Sequence, residues 1–168
     1  MRLVYKGDTE PLTLSGYVDA DWANNMNDRR SIGGYVFVLA GGAVSWSSQK
    51  QRVIAQSSTE AEYIAGALFP NEAIWLRGLL SELDRAQPDP MPLNTDNQAS
   101  IALARNPVFH KATKHIAVRH HHMRYCFEAG IVSPVYIPTD DQVADVMTIL
   151  LSKEKHEKFA KAMGLVWE

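Results

Sequence analysis

The stretch Gly16-Tyr17-Val18-Asp19-Ala20-Asp21-Trp22 places two carboxylates at the end of a segment with strand character that begins at Leu12. Residues two apart in an extended chain project from the same face, so Asp19 and Asp21 point the same way. A polar run at 24–30, which favours a turn, follows directly. The sequence therefore predicts a strand that ends in a pair of acids.

Outward from this strand, the apolar pattern changes from strands to an alternation of helices and strands. Residues 35–39 and 43–47 are typical of a hairpin, in whose turn Gly41 and Gly42 would supply positive φ. The next predicted segment is a helix capped by Ser57 and Glu60, with an end or kink at Pro70. A strand ending at Asp96, a helix after it and a strand at 132–137 follow. A second capping box at Thr139–Gln142 opens another helix, and a last helix lies around Phe159. This order predicts an α/β domain with a mixed sheet flanked by helices.

Composition limits the class of protein. The chain has 168 residues, of which 46% are hydrophobic and 21% charged, as expected for one globular domain. One cysteine excludes an intrachain disulfide, and the polar start of the chain argues against a signal peptide. The net charge of −2 taken alone argues against a nucleic-acid partner, but residues 111–124 carry Lys111, Lys114, Arg119 and Arg124 without an acid. The distribution of charge is therefore more informative than its sum.

Acids fall at predicted strand ends and helix starts: Asp19 with Asp21, Glu62, Asp96 and Asp145. In open α/β sheets these places meet at one edge, where sites form. Carboxylates gathered there repel one another unless a cation neutralises them, and Mg²⁺ prefers such oxygen ligands. Ordinary structural roles are also open to these acids. Asp96 could cap a helix, and the charge of Asp145 could be stabilised by the dipole near a helix start.

Several ordered motifs carry a family resemblance. Eight stretches resemble the ribonuclease H domain of copia-type LTR retrotransposon polyproteins. They are 16–23, 31–37, 43–51, 57–63, 96–102, 106–110, 113–116 and 142–145. The resemblance covers about 10–165. It implies a ribonuclease H-like fold, a central mixed five-stranded sheet flanked by helices, in a single domain over 1–168.

The resemblance also implies a site and an activity. The family binds two divalent ions, Mg²⁺ with Mn²⁺ as a substitute, through an Asp-Glu-Asp-Asp set. Matched motif by motif, this set falls on Asp19, Glu62, Asp96 and Asp145 as catalytic and metal-binding residues, with Asp21 as a supporting carboxylate. The implied reaction is hydrolysis of the RNA strand of RNA–DNA hybrids during reverse transcription, giving 5′-phosphate and 3′-hydroxyl ends.

Seven further residues are candidates for contacts with the hybrid: Ser58, Thr59, Asn97, Gln98, His115, Arg119 and His121. The first four stand at helix starts, where short polar groups could test for 2′-hydroxyls in the minor groove. The last three belong to the basic segment, which could hold the DNA strand by its phosphates. Helix capping and a solvated basic helix are the ordinary alternatives. A zinc site is disfavoured, because the histidines are consecutive or five apart.

The chain departs from related sequences in three places. Cellular relatives and many retroviral ones carry a His-containing loop between the last strand and the final acid; it has no counterpart in 137–142, where Asp141 is a candidate to take its role. Pro70 interrupts a helix that is usually unbroken in the family. The usual Thr-Lys-Pro is here Thr148-Ile149-Leu150.

The expected partners are an RNA–DNA hybrid and the reverse transcriptase domain of the parent polyprotein, with no membrane. The isolated domain is expected to be a monomer, and the location intracellular, in a cytoplasmic retrotransposon particle or the nucleus. Two rival functions stay open. One is a catalytically silent domain of the same fold that binds hybrid or reverse transcriptase, and the other is an integrase-like strand-transfer enzyme.

Overall fold

Residues 1–7, 12–22, 29–66, 69–105 and 122–167 are described by the structure, which is a computed structural model. The strands are β1 Arg2–Leu3, β2 Ser15–Asp21, β3 Ile32–Leu39, β4 Gly42–Lys50, β5 Met91–Thr95, β6 Val132–Tyr136 and β7 Leu165–Val166. The α-helices are α1 Ser58–Gly66, α2 Phe69–Glu82, α3 Gln98–Arg105, α4 at 122–128 and α5 Lys153–Ala162, and two 3₁₀ turns span Thr139–Asp141 and Val143–Met147.

The main sheet has five strands in the order β4-β3-β2-β5-β6. The pairs β2–β3 and β3–β4 are antiparallel, whereas β5 runs parallel to both β2 and β6. The carboxyl ends of β2, β5 and β6 therefore lie at the same edge. The predicted mixed five-stranded α/β sheet is confirmed.

The predicted hairpin is β3–β4, and its turn differs in one residue from the expectation. Positive φ occurs at Ala40 (51°) and Gly41 (73°), while Gly42 is already the first residue of β4. Both central residues of this two-residue turn thus have positive φ, the backbone twist that suits a hairpin. Gly41 has the expected role, and the assignment of Gly42 was wrong.

The sheet is covered on both faces. Neighbouring residues of β3 point to opposite sides: Phe37 stacks on Phe69 of α2 at 4.4 Å between ring centroids, whereas Val36 packs with Val143 and Phe159. The first side also receives buried residues of α1 and α4, and the second receives α5 and the 3₁₀ turn before it.

The helix is interrupted near Pro70, as predicted: α1 spans Ser58–Gly66 and α2 begins at Phe69. Pro70 is the second residue of α2, in the first turn, where the N–H that proline lacks has no helical partner. Another helix prediction needs correction. The second capping box does not form. The 3₁₀ turn after Pro138 has no side-chain cap, and the Gln142 side chain instead accepts a hydrogen bond from Ala144 N. The expected helix after it is only a 3₁₀ turn.

The pairing of the two chain ends was not predicted. Arg2 pairs with Val166 and Leu3 with Leu165 in a separate two-stranded sheet. Strands of two residues are too short to show an alternating pattern in the sequence. None of the helices in the described ranges combines the length and apolar character needed to cross a membrane.

Candidate metal centre

The parallel pairing of β2 and β5 brings two acids side by side. Tyr17 pairs with Asn94, so Asp19 and Asp96, each two residues further along, meet at the carboxyl edge. Helix α1 packs against β2 and adds Glu62. One carboxylate oxygen from each of Asp19, Glu62 and Asp96 lies within 4.8 Å of the others.

Asp145 approaches this group from the 3₁₀ turn Val143–Met147. It is 3% exposed, and its Oδ2 atom is buried without a hydrogen-bond partner. Burial raises its pKa most, and the charges of Asp19 and Asp96 raise it further, so Asp145 lies within their electrostatic reach. It is not one of the three acids whose oxygens lie within 4.8 Å of one another.

Threonine hydroxyls hold two of the acids. Thr148 donates to Asp19 Oδ2, and Thr139 donates to Asp96 Oδ2 at 2.6 Å. Sequence reasoning missed both roles, because Thr139 was assigned to a cap and Thr148 was noted only as part of a departing motif. The one available signal was that each stands within six residues of Asp145.

Glu62 is held by the start of α3. Asn97 Nδ2 donates to Glu62 Oε1 at 2.9 Å, and Thr95 Oγ1 donates to Oε2 at 3.3 Å. The amide oxygen of Asn97 also accepts from Ser100 N at 3.0 Å, so Asn97 caps α3 and orients Glu62 at once. Its contact with a hybrid stays a prediction.

Burial and mutual repulsion raise the pKa values of these acids. Burial is the largest cause for Glu62 and Asp145, whose pKa values rise to about 7, and neighbouring carboxylates raise them further. The pKa of Asp19 is also raised, first by burial and then by the charges of Asp96 and Asp21. The ionised cluster is therefore costly without a cation.

The residues fit a hard divalent ion. All the converging groups are carboxylate oxygens, the ligands that Mg²⁺ prefers. The buried Oδ2 of Asp145 has no hydrogen-bond partner, and a bound cation would supply the missing interaction. Asp19, Glu62, Asp96 and Asp145 are the side chains that would hold such an ion.

The raised pKa of Glu62 predicts a pH-dependent stability in metal-free protein. A carboxyl whose pKa rises from 4.5 unfolded to about 7 folded binds more protons in the folded state, so its contribution to stability falls between these two pH values. Glu62→Gln is therefore expected to be increasingly stable relative to wild type as the pH rises from about 4.5 to about 7. Chemical denaturation of both proteins at pH 5 and pH 8 measures this difference. Added Mg²⁺ should stabilise wild type at pH 8, and a difference that is flat with pH would contradict the prediction.

Three of the predicted contact residues lie beside the cluster on exposed helix starts. Ser57 caps α1, since its Oγ accepts from Glu60 N at 3.1 Å, and Glu60 accepts in turn from Gln56 N rather than from Ser57 N. Ser58 is therefore not the cap and is exposed, and Thr59 is half-buried. Gln98, the first residue of α3, is also exposed.

The structure describes two of the five other candidates, Asp21 and Asp141. His115, Arg119 and His121 lie outside the described residues. Asp21 ends β2, and Asp141 is exposed and forms an ion pair of 2.8 Å with Lys158 of α5. The assignment of Asp141 to the role of the missing histidine stays a prediction.

The chain is similar in sequence to retrovirus-related Pol polyproteins. It is 39% identical over 161 residues to that of transposon RE2 and 40% identical over 160 residues to that of RE1, both from Arabidopsis thaliana. It is 38% identical over 159 residues to that of transposon TNT 1-94 from Nicotiana tabacum. These matches cover 95–96% of the chain but only 11–12% of the relatives' length. No protein-family model matches the chain.

Solved structures of low identity share the fold. The N-terminal RNase H domain of a Mycobacterium tuberculosis protein superposes with a TM-score of 0.58 at 11% identity, over 90% of this chain and 98% of that one. LC11-RNase H1, solved in complex with an RNA/DNA hybrid, gives a TM-score of 0.55 at 15% identity, over 81% and 94%. The RNase H1 of Halobacterium salinarum gives 0.54 at 17% identity, over 81% and 94%.

Proposed function

This chain is a homologue of a segment of copia-type retrotransposon Pol polyproteins and has the ribonuclease H fold, and from that premise we propose that it is a metal-dependent ribonuclease H. Its substrate is the RNA strand of RNA–DNA hybrids formed during reverse transcription. The observation that carries this proposal is the convergence of Asp19, Glu62 and Asp96 within 4.8 Å at the carboxyl edge of the sheet.

In this proposal the four acids hold divalent ions, two in number and normally Mg²⁺, with Mn²⁺ as a substitute. When bound, such ions lower the pKa of a coordinated water and stabilise charge on a phosphate and its leaving oxygen. The products carry 5′-phosphate and 3′-hydroxyl ends. The chain itself orients three of the carboxylates through hydrogen bonds. The donors are Thr148, Thr139, Asn97 and Thr95.

Selection of the RNA strand is assigned to the helix starts beside the acids. Ser58, Thr59, Asn97 and Gln98 stand in the first turns of α1 and α3 or directly before them, next to Glu62 and Asp96. Hydroxyl and amide groups there can exchange hydrogen bonds with 2′-hydroxyls, which DNA lacks. His115, Arg119 and His121 are proposed to contact the phosphates of the DNA strand.

The chain spans about a tenth of the relatives it matches, so the rest of a polyprotein would supply its partners. We expect the reverse transcriptase domain to be one of them, and the site of action to be the intracellular particle where reverse transcription occurs. The isolated chain is expected to be a monomer.

A cleavage assay tests the proposed function. An end-labelled RNA–DNA hybrid is incubated with the chain and Mg²⁺ or Mn²⁺, beside duplex DNA and duplex RNA of the same sequence. We expect cuts in the RNA strand of the hybrid alone, with 5′-phosphate on the downstream product. Hybrid binding without cleavage would instead support the catalytically silent domain, and strand transfer into duplex DNA would support the integrase-like enzyme.

A further inference from the structure

Helix α5 places a lysine against Asp145, the fourth acid of the proposed site. Lys155 Nζ lies 3.7 Å from Asp145 Oδ2 and 3.5 Å from Asp140 Oδ1. The side chain of Lys155 is 28% exposed, against 88% for Lys153, the first residue of α5, two positions earlier. Lys155 is thus a partly buried charge between two carboxylates, the buried Asp145 and the exposed Asp140.

The two carboxylates differ in what else they contact. Asp145 is buried, and the oxygen that faces Lys155 has no hydrogen-bond partner, so the lysine offsets a charge that burial makes costly. The side chain of Asp140 is 90% exposed, so solvent can screen its charge. The lysine charge therefore lowers the energy of Asp145 far more than that of Asp140.

Resting on the proposed function, in which the four acids hold divalent ions, we propose that Lys155 is a built-in counter-charge that competes with a divalent ion for Asp145. A cation taken up beside Asp145 repels the ammonium group, which has Asp140 within reach as its alternative partner. In the metal-free site the lysine neutralises part of the negative charge of the acids. It also weakens the affinity of the site for a metal ion, because the ion must compete with the ammonium group. Lys155 is a positioning residue in this scheme, since it acts through Asp145.

Removal of the lysine charge should therefore tighten metal binding. For Lys155→Met we expect the dissociation constant for Mg²⁺ to fall about three- to tenfold, because the substitution removes a positive charge that lies 3.7 Å from Asp145 Oδ2, a proposed ligand of the ion. Lys155→Gln should act in the same direction, and Lys155→Arg, which keeps the charge, should bind Mg²⁺ about as wild type does. Isothermal titration calorimetry with Mg²⁺ alone, without nucleic acid, measures these constants. Circular dichroism and thermal unfolding check that each variant is folded.

A matched control separates contact from net charge. Lys153→Met makes the same charge change on the same helix, at a side chain whose ion pair is with Glu157 at 3.9 Å, away from the cluster. We expect its Mg²⁺ affinity to equal that of wild type. Equal tightening in Lys153→Met and Lys155→Met would overturn the proposal, because a long-range charge effect would then be sufficient.

The remaining outcomes are also decisive. Folded Lys155→Met and Lys155→Gln proteins with unchanged or weaker Mg²⁺ binding would overturn the competition, and so would a wild-type chain that takes up no Mg²⁺. If the wild type cleaves hybrid while these variants bind Mg²⁺ as it does, only this inference fails. If the variants bind Mg²⁺ more tightly but the wild type leaves hybrid intact, the inference stands and the proposed activity fails.

Discussion

Cleavage of an RNA–DNA hybrid is expected to fall about a thousandfold or more when Asp96 is replaced by asparagine. Asp96 follows β5 and contributes one of the three oxygens that lie within 4.8 Å of one another. Asparagine has nearly the same shape and can still accept the hydrogen bond from Thr139, so the fold should be retained. In the proposed site the substitution would remove one negative charge and one anionic ligand of the divalent ion. Initial cleavage rates at saturating Mg²⁺ measure the effect.

The control for this substitution is Asp89→Asn. It makes the same chemical change at an exposed residue before β5. Its cleavage rate should match that of wild type. A rate for Asp96→Asn within tenfold of wild type, with the fold intact by circular dichroism, would exclude Asp96 as an essential ligand.

Gly34→Ala is expected to impair both stability and cleavage. Gly34 pairs with Asp19 across β2 and β3, and a Cβ atom there would lie 2.6 Å from Met147 Cβ and 2.9 Å from Thr148 Cγ2. The 3₁₀ turn that carries Asp145 would have to move away from the sheet. Overpacking of this kind costs about 1–3 kcal/mol of unfolding free energy. Displacement of Asp145 and Thr148 by about 1 Å should lower cleavage about a hundredfold.

The matched control is Gly78→Ala on α2, where an added Cβ atom has nothing within 4 Å. That change should stabilise the protein by about 0.5–1 kcal/mol, because alanine favours a helix, and should leave cleavage unchanged. Urea denaturation and the hybrid assay are run on both variants at a temperature where both are folded. Wild-type cleavage by Gly34→Ala would show that the turn tolerates a displaced contact, contrary to this argument.

Sequence reasoning predicted the elements whose pattern is local. The strand β2, the hairpin of β3 and β4, and the capping of α1 by Ser57 all depend on residues within a few positions of one another. It failed where short segments gain structure from distant partners. The pairing of β1 with β7 and the 3₁₀ turn at Val143–Met147 are examples, because a segment of two to five residues carries too little pattern to be distinguished from a loop.

The same division applies to the candidate site. The positions of Asp19, Glu62, Asp96 and Asp145 at strand ends and helix starts could be read from the sequence, and the motif resemblance selected them from the 19 acids of the chain. The supporting groups could not. Thr148 reaches Asp19 across 129 residues and Thr139 reaches Asp96 across 43, and nothing in the local sequence marks such hydroxyls as donors.

By itself, then, the sequence determined which residue types stand at the ends of which elements, since hydrophobic periodicity and capping act over one or two turns of chain. The tertiary structure alone decided that three carboxylates converge within 4.8 Å, that Gly34 makes room for the turn bearing the fourth, and that Lys155 faces it. These facts depend on strand order and on packing across the two faces of the sheet. The physical reason is that charge repulsion, burial and close approach act through space, between residues that the chain itself keeps far apart.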